Sequence, residues 1–124
     1  MLADDVCYVI GVDTHAEQHA IALVEAKTQR TRRQLTIPCT RRGYRRALRL
    51  ARRQAPGQRV WALEGTGCYG AGFARFLSAR GERVLEVERP RRDGSRGRLK
   101  SDALDAERAA RQVLAASAGA RPRL

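Results

Sequence analysis

Residues 6–15, with the sequence VCYVIGVDTH, constrain the fold of this chain more than any other segment. They are rich in β-branched and aromatic side chains, read as apolar on both faces, and stop at the carboxylate of Asp13. A strand that is apolar on both faces is typical of the centre of a sheet covered on both sides. The segment therefore predicts a central strand that carries Asp13 to its open end.

The rest of the chain predicts four more strands and three helices. Two β-type segments with short links follow the first strand and indicate an antiparallel meander. Thr40 is placed to cap the first helix, and Ser101 the last. Tyr69, Phe73 and Phe76 are predicted to share the core face of the second helix. After the first strand, the predicted elements are strands at 19–25 and 32–37, a helix from Thr40 to about 54, a strand at 60–64, a helix at 69–80, a strand at 82–88 and a helix at 102–116.

The charge of the chain points to a polyanionic partner. Lys and Arg number 25 against 13 Asp and Glu, for a formal net charge of +12, and nearly all of the positive charge is arginine. The planar guanidinium group suits phosphate. No apolar run approaches the ~20 residues of a membrane helix, and the N-terminus has no signal-peptide pattern, so we expect a cytoplasmic protein with no membrane partner.

Cysteines and histidines form no recognised metal motif. The three cysteines, Cys7, Cys39 and Cys68, are widely spaced and form no CxxC motif. This spacing favours small buried residues with a free thiol over a disulfide or a zinc site. His15 and His19 do not form HExxH, and we expect ordinary roles for both, with His15 the better placed to touch a ligand.

The helix after Thr40 carries an arginine face. Its arginines fall on an arc of roughly 140° at about 100° per residue, and no acid occurs between Glu25 and Glu64 to neutralise them. A solvated charged face is the ordinary explanation, but like charges at i,i+4 spacing repel, which favours a face that contacts phosphate. The residues on this arc are Arg41, Arg42, Arg45, Arg46, Arg49, Arg52 and Arg53.

A second basic region follows the fifth strand. Residues 90–99 are too polar and glycine-rich for a regular element, so they predict a mobile basic loop that also contacts nucleic acid. The nucleic-acid-binding residues predicted here are Arg91, Arg92, Arg96, Arg98 and Lys100.

Four acids stand in settings that favour a shared metal site. Asp13 and Glu64 end the first and fourth strands, and Asp102 and Asp105 lie three residues apart at the start of the last helix. Each is also explained singly, as a strand-end turn residue or as a first-turn acid favoured by the helix dipole. Their joint placement in so basic a chain favours metal, because carboxylates are the hard ligands that Mg²⁺ prefers and four of them balance two Mg²⁺ ions.

The order of the elements favours a particular fold class. A β-β-β-α-β-α-β-α order, with acids at the ends of strands one and four and on a late helix, is typical of an RNase H-like α/β domain. Such a domain has a five-stranded mixed sheet with helices on both faces. Two metal ions in its site would support an in-line phosphoryl transfer.

A dinucleotide-binding domain is the main alternative. Gly65, Gly67 and Gly70 follow a strand and open a helix in the pattern GxGxxG, with Glu86 and Glu88 about 20 residues later. Against it, the charge of the adjacent glutamate near a pyrophosphate would cost on the order of 3 kcal/mol at an effective dielectric of ~20. The start IGVDTH also suggests the first phosphate loop of sugar kinases and actin, but the other loops of that fold are absent.

With these residues laid out, the chain resembles the N-terminal domain of the DEDD transposases of insertion-sequence family one-ten. Three ordered matches carry the resemblance: GVDTH at 11–15, WALEGTGCYGAGFARFLSARGERVLEVERP at 61–90 and KSDALDAERAA at 100–110. The resemblance implies a RuvC-like fold and Mg²⁺ held by Asp13, Glu64, Asp102 and Asp105. It also implies DNA and a structured guide RNA as partners.

The resemblance also bears on domain organisation. Residues 1–116 would be the RuvC-like domain, and residues 117–124 a disordered tail at the start of a helical region. Members of the family continue into a second domain with a nucleophilic serine, and no serine of this chain stands in a matching context. We therefore expect a truncated copy or an excised domain, a homo-oligomer when complete. The other open interpretation is a non-catalytic relic that still binds nucleic acid through its arginines.

Overall fold

The computed structural model describes residues 6–65, 69–87 and 98–119, with side chains of the last helix described for residues 105–115. Within these residues the chain forms five strands and three helices. In chain order they are β1 (Tyr8–Thr14), β2 (Gln18–Glu25), β3 (Thr31–Pro38), α1 (Arg41–Gln54), β4 (Arg59–Glu64), α2 (Ala71–Ala79), β5 (Arg83–Val87) and α3 (Arg98–Gly119).

The strands form a mixed sheet with β1 at its centre. Their order is β3-β2-β1-β4-β5. β1, β2 and β3 pair antiparallel as the predicted meander requires, while β4 is parallel to β1 and β5 is parallel to β4. This is the sheet predicted for an RNase H-like domain. The antiparallel half contradicts the parallel sheet that a dinucleotide-binding domain would need. Gly65 follows β4 and Gly70 precedes α2 in a different fold, and Gly67 lies outside the described residues.

Alternate residues of the central strands pack into two separate cores, one on each face of the sheet. On one face, Ile10 of β1 and Trp61 of β4 pack with residues of α1 and α2. On the other face, Val9 and Ala62 pack with the alanines, Val113 and Leu114 of α3. The helices therefore cover both faces, which explains why β1 is apolar on both sides.

The start and the arginine face of α1 are as predicted. The Thr40 hydroxyl accepts a hydrogen bond from the backbone N–H of Gly43 at 3.1 Å, which caps the helix. The apolar side of the helix is buried through Ala47, Leu48 and Ala51. All the arginines of the predicted arc are exposed.

α3 is longer at both ends than the predicted 102–116. It begins at Arg98, so Ser101 lies inside the helix instead of capping it, and Arg98 and Leu99 are helical instead of part of the basic loop. At its other end it reaches Gly119, three residues into the predicted tail. Arginine, leucine and lysine are good helix formers, which explains the extension at the N-terminal end. Residues 88–97 and 120–124 lie outside the described residues.

Two predictions about single side chains are wrong. Tyr69 is predicted on the core face of the second helix, but it precedes α2 and is 52% exposed. Phe73 and Phe76, which share that predicted face, are buried. Cys7 is exposed and Cys39 is half-buried, so neither is the fully buried cysteine that the spacing favoured. Both of these thiols are free, and Cys68 lies outside the described residues.

Candidate functional site

Asp13 and Glu64 end neighbouring parallel strands and are partners in register. Val12 and Leu63, the residues before them, belong to the core under α1 and α2. Because side chains alternate along a strand, Asp13 and Glu64 both point to the opposite face, which α3 covers. Both acids are 1% exposed. The sheet therefore places two buried carboxylates, distant in the sequence, side by side.

The two residues after Asp13 hold this end of the sheet together. The Thr14 hydroxyl donates a hydrogen bond to the backbone carbonyl of Glu64 at 2.7 Å, which ties the ends of β1 and β4. Nε2 of His15 lies 2.9 Å from Oδ2 of Asp13. The His15 side chain is 38% exposed, so it borders the acids on the solvent side. Thr14 and His15 therefore belong to the candidate site.

α3 runs antiparallel to β1. Gln34 on β3 donates to Oε2 of Glu107 at 2.7 Å, and Arg111, one turn later in the helix, donates to the Thr31 hydroxyl, earlier in β3, at 3.2 Å. β3 is parallel to β1 because both are antiparallel to β2. Residues of α3 that precede Glu107 therefore lie level with the C-terminal end of β1.

Close packing at Gly11 sets the distance between α3 and the sheet. A Cβ atom at this position would collide with the backbone carbonyl of Ala106 and lie 2.8 Å from the backbone nitrogen of Ala110. The backbone of α3 thus rests on the glycine two residues before Asp13. The helical turn that carries Asp102 and Asp105 lies at the acid-bearing edge of the sheet.

The last two acids are described unequally. The Asp105 side chain is 15% exposed, and its Oδ1 accepts a hydrogen bond from Nη2 of Arg108 at 2.6 Å. The side chain of Asp102 lies outside the described part of the chain, although its backbone is helical. Among the side chains that are described, no three of His, Cys, Asp or Glu are grouped so as to hold a metal ion. The four-acid metal site stays a prediction.

The donor chemistry of Asp13 and Glu64 fits a divalent metal ion. Adjacent strands lie about 5 Å apart, and two carboxylate charges at that distance repel by roughly 3 kcal/mol at an effective dielectric of ~20. Hard oxygen donors of this kind are those that Mg²⁺ prefers. A cation between the two acids would replace their repulsion by attraction.

His19 lies on the other face of the sheet and belongs to the core. It is fully buried and stacks on Phe73 with ring centroids 5.6 Å apart. Its Nδ1 accepts a hydrogen bond from the backbone N–H of His15 at 3.4 Å, and the Cys39 thiol lies 3.4 Å from its Nε2. Burial lowers the pKa of His19 to about 4, so its ring is neutral at pH 7. The ordinary role expected for His19 agrees with this packing.

The predicted nucleic-acid-binding residues divide into described and undescribed groups. The arginines of α1 form an exposed face on the side of the sheet opposite the acids. Arg98 and Lys100 lie in the first turn of α3, and Arg91, Arg92 and Arg96 lie outside the described residues. No helix in the described ranges combines the length and apolar character needed to cross a bilayer.

Sequence reasoning did not assign Thr14 or Arg108 to the site. Their positions give a partial signal, since Thr14 follows Asp13 directly and Arg108 stands three residues after Asp105, at helical pairing distance. The bond from Thr14 to the carbonyl of Glu64 depends on the pairing of β1 with β4. No local pattern predicts that pairing.

Comparison with protein families gives a match over nearly the whole chain. Residues 10–122 match the family model of the DEDD transposases of the IS110 insertion-sequence family, which is described as a transposase. No curated protein sequence matches the chain.

Solved structures agree on the fold. The chain is similar to the Holliday junction resolvase of fowlpox virus, with a TM-score of 0.58, 14% identity, and coverage of 90% of this chain and 99% of that chain. It is also similar to the fowlpox virus resolvase in complex with its substrate Holliday junction DNA, with a TM-score of 0.51, 17% identity, and coverage of 79% and 71%. At these identities the likeness shows the fold, which is the RNase H-like α/β fold of RuvC-like proteins.

Proposed function

Since this chain belongs to the DEDD transposase family, we propose that it is the metal-binding, RuvC-like domain of a transposase, which binds DNA and transfers phosphoryl groups during DNA recombination. Asp13, Glu64, Asp102 and Asp105 would hold the metal ions. The proposal extends to the family's partners, namely a structured guide RNA, a domain that supplies a nucleophilic serine, and further copies of the chain.

The observation that carries the proposal is the pairing of Asp13 with Glu64. Two carboxylates that are 1% exposed and in register on adjacent strands are costly to keep charged together, which is expected where they serve to bind a cation. Asp105 is on the helix that covers them, and the turn carrying Asp102 lies at the same edge.

The residues around the two acids would orient them. The Thr14 bond to the Glu64 carbonyl holds the strand ends at a constant separation, and the His15 ring holds one oxygen of Asp13. Arg108 balances the charge of Asp105 and steadies its rotamer. Bound divalent metal supplies the activation of the attacking oxygen and the stabilisation of negative charge that phosphoryl transfer requires.

Metal binding can be tested without activity. We expect Mg²⁺ or Mn²⁺ to raise the melting temperature of the wild-type chain, because a ligand at 100 times its Kd stabilises a fold by about 2.7 kcal/mol. Asp13→Asn should abolish the metal effect, because an amide has no charge with which to attract the ion. Glu107→Gln, on the same helix as Asp105, is the matched control and should keep the metal effect. A metal effect that survives Asp13→Asn would contradict the site.

Strand cleavage tests the reaction itself. We expect metal-dependent nicking of labelled duplex and branched DNA that Asp13→Asn and Glu64→Gln lower on the order of 100-fold or more. Glu107→Gln should keep the activity. If the chain binds DNA and metal but nicks nothing with any divalent metal, it is the non-catalytic relic and the proposed reaction is wrong.

A further inference from the structure

A groove between α1 and α2 lies on the face of the sheet opposite the acids. It has a volume of about 420 Å³, and its walls include Arg41 and Tyr44 from α1 with Arg75, Phe76 and Arg80 from α2 or its C-terminal cap. A cavity of this size is in the range that accepts a group as large as one nucleotide, and it is far too small for a duplex.

The groove is positively charged, and its arginines have no ion-pair partner among the described residues. Arg41, Arg75 and Arg80 are exposed, and within the described residues none of them takes part in an ion pair. Neither helix contains an acid, and Glu64 is the single acid between Glu25 and Glu82 in the sequence. Because Glu64 points to the other face of the sheet, the groove is complementary to an anion such as phosphate.

Flat surfaces lie among these charges. The Arg80 guanidinium covers the Phe76 ring at 3.8 Å, which holds its plane in a fixed orientation. The half-exposed Tyr44 ring is held by stacking on Phe73, with centroids 4.8 Å apart. Aromatic rings and guanidinium planes are the surfaces on which unpaired bases stack. Simple phosphate binding needs no such surface.

One end of the groove lies at the edge of the sheet that carries the acids. Arg41 begins α1 just after β3, and Gly72 is at the start of α2 just after β4. Both strands are parallel to β1, so their C-terminal ends share the edge with Asp13. A strand that passes the acids can therefore continue over this edge into the groove.

We infer that the groove between α1 and α2 binds an unpaired nucleotide of a DNA strand, with its phosphates at Arg41 and Arg75 and its base against Tyr44 and the guanidinium of Arg80. The choice of DNA rests on the proposed function, whereas the preference for an unpaired strand rests on the shape and chemistry of the groove.

Binding of fluorescent oligonucleotides tests the inference. The probes are a single-stranded DNA of about 12 nucleotides, its duplex, and an RNA of the same sequence, all in EDTA so that metal at the acids plays no part. We expect the Arg75→Gln/Arg80→Gln double variant to bind single-stranded DNA about 10-fold more weakly than the wild type. The matched control Lys27→Gln/Arg30→Gln removes the same charge at the opposite edge of the sheet and should bind single-stranded DNA clearly better than the groove variant.

A conservative variant separates stacking from charge. Arg80→Lys keeps the charge but removes the planar group, so we expect single-stranded DNA to bind several-fold more weakly while duplex binding is unchanged. The variants alter exposed side chains, and circular dichroism should confirm that they remain folded. Equal losses for duplex and single strand, or equal losses in the groove and control variants, would overturn the inference. An RNA that binds much more tightly than the DNA would overturn the choice of DNA.

The outcome is distinguishable from that of the proposed function. The groove is tested by single-strand binding in EDTA, and the proposed reaction is tested by metal-dependent nicking, so each can fail without the other. If DNA is never nicked but Arg80→Lys still weakens single-strand binding, nucleotide binding in the groove is supported and the proposed reaction is wrong. If nicking depends on Asp13 but the groove variants bind single-stranded DNA as tightly as the control variant does, the proposed reaction is supported and nucleotide binding in the groove is wrong.

Discussion

At the scale of single residues, Gly11 controls how closely α3 approaches the sheet. The backbone of the helix occupies the space where any other residue would place its Cβ atom. The glycine thus lies at the centre of the chain's first strand, where glycine is otherwise unfavourable. The glycine is needed for tertiary packing, because it allows the helix that carries two of the predicted acids to lie close to the strand that ends at Asp13.

Gly11→Ala is expected to lower the free energy of unfolding by about 1–3 kcal/mol, because the backbone of α3 must move to admit the methyl group. Urea denaturation measures the loss. Gly72→Ala is the control, since its Cβ would lie 3.2 Å from the Tyr44 hydroxyl, the end of a side chain that can shift, and alanine favours a helix. A Gly11→Ala variant as stable as Gly72→Ala would show that α3 does not pack as described.

His19 should make stability depend on pH. The unfolded chain binds a proton at this ring below about pH 6.5, whereas the folded chain does so only near pH 4, so protonation favours unfolding. Stability from His19 is therefore full above pH 6.5 and lost as the pH falls toward 4. His19→Phe keeps an aromatic ring against Phe73 and should show a smaller loss over this interval in urea denaturation. Parallel pH profiles for the two proteins would contradict a buried neutral ring.

At the scale of elements, α1 is capped and packed favourably, but the charges on its exposed face repel one another. Thr40 caps the helix and its apolar side is buried, yet its exposed face repeats arginine at i,i+4 positions. Such pairs repel by a few tenths of a kcal/mol each. A charge pattern that lowers the stability of a helix and forms no ion pair within the described residues supports the proposed contact with an external anion.

Arg45→Glu separates the stability of α1 from its function. The new glutamate stands four residues from both Arg41 and Arg49, so we expect the free energy of unfolding to rise by about 0.5 kcal/mol. DNA binding should weaken at the same time, because a phosphate contact becomes a repulsion. Arg45→Gln only removes the charge, so its free energy of unfolding and its DNA affinity should both lie between those of the wild type and Arg45→Glu. Unchanged DNA affinity in Arg45→Glu would make this face an ordinary solvated surface.

At the scale of the whole molecule, the sheet separates two kinds of charge. The acids lie under α3 on one face, and the arginines of α1 and the groove lie on the other. The sheet therefore lies between the arginines of α1 and the two acids.

The salt dependence of DNA binding follows from this arrangement. If roughly five to seven phosphates are neutralised, the logarithm of the association constant for duplex DNA should fall with the logarithm of salt concentration with a slope of about −4.5 to −6.3. Titrations between low and moderate salt measure it, and Arg45→Gln should make the slope shallower by about 1. A slope near zero would mean that the arginines do not face phosphate.

The sequence alone determined the sheet and its helices. The two-sided apolar run of β1, the alternation of the later strands and the cap at Thr40 are local patterns, and they are confirmed because each is a property of a few neighbouring residues. The family was also readable from ordered motifs. The ends of α3 were not, since the helix-forming residues around Ser101 have no local signal that stops the helix at that point.

The sequence predicted that Asp13 and Glu64 share a site, but the tertiary structure decided the register in which they meet and the contacts around them. Three such contacts join positions that are far apart in the chain: the pairing of Asp13 with Glu64, the hydrogen bond from Thr14 to the Glu64 carbonyl, and the packing of the α3 backbone on Gly11. The tertiary structure also leaves Tyr69 exposed and places Arg41 and Arg80 in the walls of the same groove. Such contacts depend on strand register and helix packing, which arise from the sum of many weak interactions and leave no pattern at any single segment.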